Sequence, residues 1–206
     1  MRGLFVTGTD TGVGKTVLSA ALMLRYPDAC YWKPIQTGPD DDSAEVRRLS
    51  GGQVFDEGIR LPDPVSPHFA AQLAGTRIDL EILAGRTSGT TVIVEGAGGV
   101  LVPVNESETM ADLMTMLRLP VIVAARTTLG TINHTLLTLE ALRARALRVA
   151  GVVMIGDVTL ANSADNRAAI EHYGNVAVVA EMPRFDPLTA ENLREWAETL
   201  PKDLIA

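Results

Sequence analysis

Residues 6–16 read VTGTDTGVGKT, the end of an apolar run, a glycine-rich turn, and then the helical pattern KTVLSAALMLRY at 15–26. The common phosphate-binding loop, G-x-x-x-x-G-K-S/T, spaces its glycines by four residues. Here five residues separate Gly8 from Gly14, and Thr9 stands where the shorter count needs glycine. The chemistry is nevertheless that of an anion site. Gly12 and Gly14 let backbone N–H groups turn inward, and the helix amino end adds its dipole. Lys15 can reach β- and γ-phosphates, and Thr16 can offer its hydroxyl to Mg²⁺. The plainer alternative is a glycine turn that only tightens a strand-to-helix link. The Gly-Lys-Thr triplet between a strand and an amphipathic helix weighs against it.

Outward from this loop, short apolar runs alternate with helical stretches. The runs are 3–7 (GLFVT), 29–34 (ACYWKP), 90–96 (TTVIVEG), 120–125 (PVIVAA), 149–155 (VAGVVMI) and 176–183 (VAVVAEMP). Most are apolar throughout, as parallel strands covered on both faces are. Residues 14–26 and 133–148 carry apolar stripes at helical spacing. The alternation predicts an α/β fold: a doubly wound, mostly parallel β-sheet with helices on both faces, in a single domain over residues 1–206. Such sheets bind ligands beyond the carboxyl ends of their strands. Segments 34–42 and 60–67 read as loops.

A chain of 206 residues suits one domain, which at this size buries about 70% of its unfolded surface. No apolar stretch approaches the roughly 18 residues of a membrane span, and the brief run before Gly8 is no secretory segment. A cytoplasmic protein is expected. Eighteen basic against 25 acidic residues, net charge -7, argue against a general nucleic-acid or membrane surface. Cys30, the single cysteine, cannot form an intrachain bridge and suits a packing role in a reducing compartment. His68, His134 and His172 lack the spacing of a zinc site.

Three further segments bear chemistry. VIVEGAGG places Glu95 at the end of a buried strand, where a carboxylate can hold Mg²⁺ or its water, and the following glycines admit a phosphate. KPIQTG puts Lys33 after the second strand, so that Lys15 and Lys33 would face one anionic centre. In PDDDSAEVRRL the acids can cap a helix, while Asp42 is also a candidate Mg²⁺ ligand. Spacing does not choose between those roles.

Five segments together, GTDTGVGKT (8–16), KPIQTG (33–38), VSPH (65–68), VEGAGG (94–99) and LGTINHTLLTLEAL (129–142), resemble the dethiobiotin synthetase family, enzymes of P-loop NTPase fold. The longer loop is that family's form. Related partitioning and metal-delivery ATPases carry a signature lysine where this chain has Asp10. The resemblance implies ATP as co-substrate, Mg²⁺ as cofactor, and 7,8-diaminononanoate with CO₂ or bicarbonate as substrates. A carbamate forms on one amine, is phosphorylated, and is attacked by the second amine. It implies Lys33, Lys15 and Thr11 as catalytic groups, and Thr16, Asp42 and Glu95 as metal ligands. Gly12, Val13, Gly14, Lys15, Thr16 and Val17, with Glu95, Gly96, Ala97 and Gly98, would surround the phosphates. Gly156, Asp157 and Pro183 would face the base, although many members have asparagine at the Gly156 position, and glycine cannot hydrogen-bond adenine's edge. Thr37 and Ser66 would hold the diamine or carbamate end. Gly130, Thr131, Ile132 and Asn133 would receive the substrate carboxylate at a helix start, across a homodimer interface. Two other readings compete. An amidating synthetase would need a glutamine-hydrolysing domain, for which little chain follows Ile155. A nucleotide-binding switch or scaffold without catalysis would be expected to lack Lys33 or the carboxylates.

Overall fold

The computed structural model describes residues 2–85, 90–159 and 163–205. Nine strands occur among them: β1 (Arg2–Gly8), β2 (Cys30–Trp32), β3 (Ile35–Thr37), β4 (Gln53–Val54), β5 (Ile59–Leu61), β6 (Thr91–Gly99), β7 (Val121–Arg126), β8 (Val149–Gly156) and β9 (Val178–Pro183). The helices are α1 (Lys15–Arg25), α2 (Asp42–Ser50), α3 (Pro67–Leu73), α4 (Leu80–Ala84), α5 (Met110–Leu117), α6 (Thr131–Arg143), α7 (Ser163–Gly174) and α8 (Ala190–Ala197). Seven strands form one parallel sheet in the order β4-β2-β6-β1-β7-β8-β9.

Strand alternation sorts the core into two layers. Leu4 and Val6 face α1, α2 and α8, packing with Leu18, Val46, Leu49 and Leu193. Phe5, between them in sequence, faces the other way, into a layer with Met114, Leu139, Leu142 and Ile170. Both faces are thus covered, which is why the strands read as continuous apolar runs. The expected doubly wound α/β sheet is what forms.

Element bounds differ from the sequence reading in several places. Segments 34–42 and 60–67, read as loops, contribute β3 and β5, which pair in parallel from Ile35↔Ile59 to Thr37↔Leu61. Each has only three residues between turn formers, too few to show a period, and their apolar burial comes from Ile35 and Leu61. β6 continues past Gly96 to Gly99, because Gly99 pairs with Gly8. α6 starts at Thr131 and stops at Arg143, and Leu147 N then donates back to Leu142 O. β9 begins at Val178. Cys30 is buried, its thiol 3.2 Å from Gln53 Oε1, consistent with packing.

Candidate active site

The loop after β1 is anchored at its start by Thr9 N, which donates to Ala124 O of β7 at 3.0 Å. Gly14 closes it as the N-cap of α1, with φ 98°. A side chain there would be strained, and its Cβ would lie 3.1 Å from Ile155 Cγ2. Lys15 Nζ donates to Asp10 O at 3.0 Å. Burial lowers the Lys15 pKa to about 8, with Lys33 adding to the fall and Glu95, Asp42 and Asp10 opposing it. On the solvent side, Arg126 Nη2 donates to Thr11 O at 2.8 Å and lies 3.3 Å from Asp10 Oδ2.

Beside the loop lies an ionic cluster, buried at Tyr31, Lys33 and Glu95, whose strand-borne members reach it through alternation while Asp42 comes from α2. Tyr31 and Lys33 flank Trp32 and point to one face, and Ile93 and Glu95 flank Val94 likewise. Lys33 Nζ is 2.9 Å from Glu95 Oε1 and 2.6 Å from Asp42 Oδ2. It also donates to Gly96 O at 3.3 Å. Tyr31 OH donates to Glu95 Oε2 at 2.9 Å. Burial opposes the Lys33 charge, but Glu95 and Asp42 outweigh it and hold the ammonium above its ordinary pKa. Burial, followed by the charges of Glu95 and Asp42, holds the Tyr31 phenol well above its ordinary value, so it stays a donor.

Thr16 Oγ1 sits 3.1 Å from Asp42 Oδ1 and 3.0 Å from Glu95 Oε1. One hydroxyl proton cannot serve both acceptors, so two carboxylates and a hydroxyl converge with acceptor capacity to spare. That hard-oxygen set suits Mg²⁺. Among the described residues no group of three or more His, Cys, Asp or Glu is placed to hold a metal, so the set depends on the Thr16 hydroxyl. The two roles left open for the acids at 40–42 also separate. Asp41 is the N-cap of α2, accepting from Ala44 N at 2.8 Å. Asp42 is the first helical residue and turns its carboxylate to Thr16 and Lys33.

A cleft of about 710 Å³ opens past the carboxyl ends of β7, β8 and β9. Gly12, Val13, Gly14 and Val17 line it together with Gly156, Asp157 and Pro183, so candidate phosphate and base residues share one cavity. Gly156 has φ 149°, and a Cβ there would lie 2.4 Å from Thr127 Oγ1. The space a larger residue would need is already held by Thr127. Asp157 accepts from Thr159 Oγ1 at 2.6 Å and Thr159 N at 2.9 Å, which pulls its pKa down.

The substrate candidates fall into two groups. Thr37 ends β3, and Ser66 opens α3. The Ser66 hydroxyl does not cap its helix but lies 3.0 Å from His68 Nδ1. Gly130 is the N-cap of α6, followed by Thr131, which is buried, and by Ile132 and Asn133. In the main sheet β1, which leads into the phosphate loop, separates β6 from β7. The first group lies on the β6 side of that loop, since β3 contacts β6, and the second follows β7. Thr11 stands in the phosphate loop, where its hydroxyl makes no hydrogen bond among the described residues, and Ala97 lies in β6. Sequence reasoning missed Tyr31 and Arg126. Arg126 ends a strand at the carboxyl edge of the sheet, where such folds bind ligands, a position that marks it in retrospect. Tyr31 carried a weaker sign, its place two residues before Lys33 on the same face.

A family model described as an AAA domain matches residues 2–192. The chain is 50% identical over 196 residues to the ATP-dependent dethiobiotin synthetase BioD of Paramagnetospirillum magneticum, covering 94% of this chain and 93% of that protein. It is 47% identical over 195 residues to the protein of the same name from Sphingopyxis alaskensis, covering 94% and 93%. It is also 47% identical to the biotin biosynthesis bifunctional protein BioCD of Bordetella avium, covering 97% of this chain but only 43% of that longer protein. Among solved structures, a ParA family ATPase from Chlorobium tepidum superposes with TM-score 0.58 at 12% identity, covering 96% of this chain and 89% of that one. The hydrogenase maturation factor HypB of Archaeoglobus fulgidus gives TM-score 0.54 at 15% identity, covering 95% and 88%. These last two speak for the fold alone.

Proposed function

Since this chain belongs to the ATP-dependent dethiobiotin synthetase family, we propose that it closes the ureido ring of dethiobiotin from 7,8-diaminononanoate and CO₂, converting ATP to ADP and phosphate. One amine takes up CO₂ as a carbamate. A carbamate oxygen bonds to the γ-phosphorus as the bond to the β-phosphate oxygen breaks and ADP leaves. The second amine then attacks the carbamoyl carbon, the C–O bond to phosphate breaks, and the ring closes.

Such phosphoryl transfer needs positioning and charge stabilisation more than covalent help from the protein. Gly12 to Val17 would cradle the phosphates with backbone N–H groups, helped by Glu95 to Gly98 at the neighbouring strand end. Lys15 and Lys33 would offset the charge that develops on phosphoryl and carbamate oxygens, with the Thr11 hydroxyl beside them. Thr16, Asp42 and Glu95 would hold Mg²⁺, which when bound would neutralise phosphate charge. Thr37 and Ser66 would orient the reacting end of the diamine. Gly130 to Asn133 would take its carboxylate at the start of α6, with the partner copy of a homodimer completing the site. Gly156, Asp157 and Pro183 would border the base. Among the described residues no helix is long and apolar enough to cross a membrane, and a biosynthetic role fits a cytoplasmic enzyme without nucleic-acid partners.

The observation that carries this reading is the set of buried Lys33 and Glu95 with half-buried Asp42 and Thr16 directly beside the phosphate loop. A nucleotide-binding scaffold has no need of a second lysine held against two carboxylates there. The test is phosphate release by the purified protein with Mg²⁺, bicarbonate and each nucleoside triphosphate, with and without the diamine. Release that depends on diamine, with dethiobiotin as product, is expected. Release indifferent to diamine under every nucleotide would sink the proposal.

A further inference from the structure

We propose that Arg126, held at the mouth of the phosphate loop by Asp10 and Thr11, is a further phosphate-binding cation for the nucleotide; the inference rests on the nucleotide site described above. Residues 121–125 of β7 are buried, and Arg126 is the first to emerge, its side chain 46% exposed. It emerges at the carboxyl edge of the strand beside β1, where Gly8 pairs with Ala124. It also lines the cleft shared with Gly12, Val13 and Gly14.

The guanidinium has donors left over. Its contacts to Thr11 O and Asp10 Oδ2 both use Nη2. Nε and Nη1 make no hydrogen bond among the described residues, and a guanidinium presents its five N–H groups as a fork suited to phosphate oxygens. The local charge balance calls for it. Asp10, Asp42 and Glu95 surround the loop in a chain of net charge -7, and Lys33 is committed to two carboxylates. Lys33 therefore meets a polyphosphate with its charge already shared, and a further cation beside Lys15 adds to the balance. The Arg126–Asp10 pair is exposed and long at 3.3 Å, a contact weak enough to be exchanged for a phosphate oxygen, while the bond to the Thr11 carbonyl keeps the side chain in place.

Two variants separate a phosphate contact from a strut that merely shapes the loop. Direct titration of the full chain with Mg-ATP should show Arg126→Gln binding at least roughly tenfold more weakly, the scale of one charge-assisted hydrogen bond. Asp10→Asn, which frees the arginine and removes a competing charge, should bind as tightly as wild type or tighter. Adenosine binding should be unchanged in both. Arg126→Gln within about twofold of wild type for ATP, or Asp10→Asn weakened as much as Arg126→Gln, overturns the inference alone. A wild-type chain that binds no nucleoside triphosphate overturns the nucleotide reading and this inference with it.

Discussion

Lys33→Met removes the ammonium standing 2.9 Å from Glu95 Oε1 and 2.6 Å from Asp42 Oδ2. The Glu95 side chain is 1% exposed, so water cannot replace the lost charge, and among the described residues the Tyr31 and Thr16 hydroxyls are the hydrogen-bond partners that remain. Asp42 is 23% exposed and can regain some hydration. Removing one partner of a buried pair costs about 3–5 kcal/mol, and the partial exposure of Asp42 sets the expectation at the lower end. For a domain of this size roughly 1 kcal/mol moves the melting temperature by 2–4 °C, so scanning calorimetry of the ligand-free protein should show a fall of roughly 6–12 °C. Because the charge left behind causes the loss, the double variant Lys33→Met/Glu95→Gln should melt above Lys33→Met alone. The Lys33 pKa is raised by the fold, so the stability this lysine contributes is fully present below its ordinary value of about 10.5 and is lost only as pH rises beyond it. The wild-type contribution is therefore flat through neutral pH. In the same variant, turnover should fall at least roughly a hundredfold, as for other transition-state charge groups, with nucleotide binding nearly intact. A melting temperature within about 2 °C of wild type together with near-normal turnover would refute both the packing argument and the catalytic role.

Three other outcomes are expected. Lys15 has its pKa lowered from 10.5 to about 8 by burial, so nucleotide affinity measured by titration should be level below about pH 8 and fall above it by up to about tenfold per pH unit. A level affinity up to pH 10 would show that the Lys15 charge is not used. The same fall in pKa costs the ligand-free fold roughly 3 kcal/mol at neutral pH, relieved as pH rises from about 8 towards 10.5. Tyr31→Phe leaves Glu95 Oε2 without its 2.9 Å donor, a loss of about 1–3 kcal/mol. It should raise the Mg²⁺ concentration needed for half-maximal turnover while leaving the KM for diamine unchanged, and an unaltered Mg²⁺ dependence would reduce Tyr31 to packing. Gly156→Asn meets Thr127 Oγ1 at 2.4 Å in a backbone of φ 149°, so the added side chain should cost about 1–3 kcal/mol in a denaturant titration. A variant as stable as wild type would mean that this wall yields readily.

Much of the molecule is legible along the chain, and the reasons are local. A strand buried on both faces must be apolar throughout, so β1, β6, β7 and β8 announce themselves, and a glycine turn with Lys and Thr before an amphipathic stripe announces the phosphate loop. Three-residue strands carry no period, which is why β3 and β5 passed as loops. The end of α6 is hidden too, because Leu147 keeps the apolar spacing beyond Arg143 after the backbone has turned. The acids at 40–42 show the same limit at the scale of one residue: Asp41 and Asp42 have identical chemistry and adjacent positions, and only the start of α2 makes one a cap and sends the other to Thr16.

The sequence by itself determined the α/β sheet, the anion-binding loop and the presence of Lys33, Asp42 and Glu95 near strand ends or a helix start, because strand burial, glycine turns and helix capping act over a few neighbouring residues. Only the tertiary structure decided that these groups form one cluster. Lys33 and Glu95 are 62 residues apart, and Thr16 and Glu95 are 79 apart. Their contact depends on β6 inserting between β2 and β1, a strand order set by the packing of the whole sheet. The same order brings Arg126 to Asp10 across 116 residues, where no local pattern would have placed it.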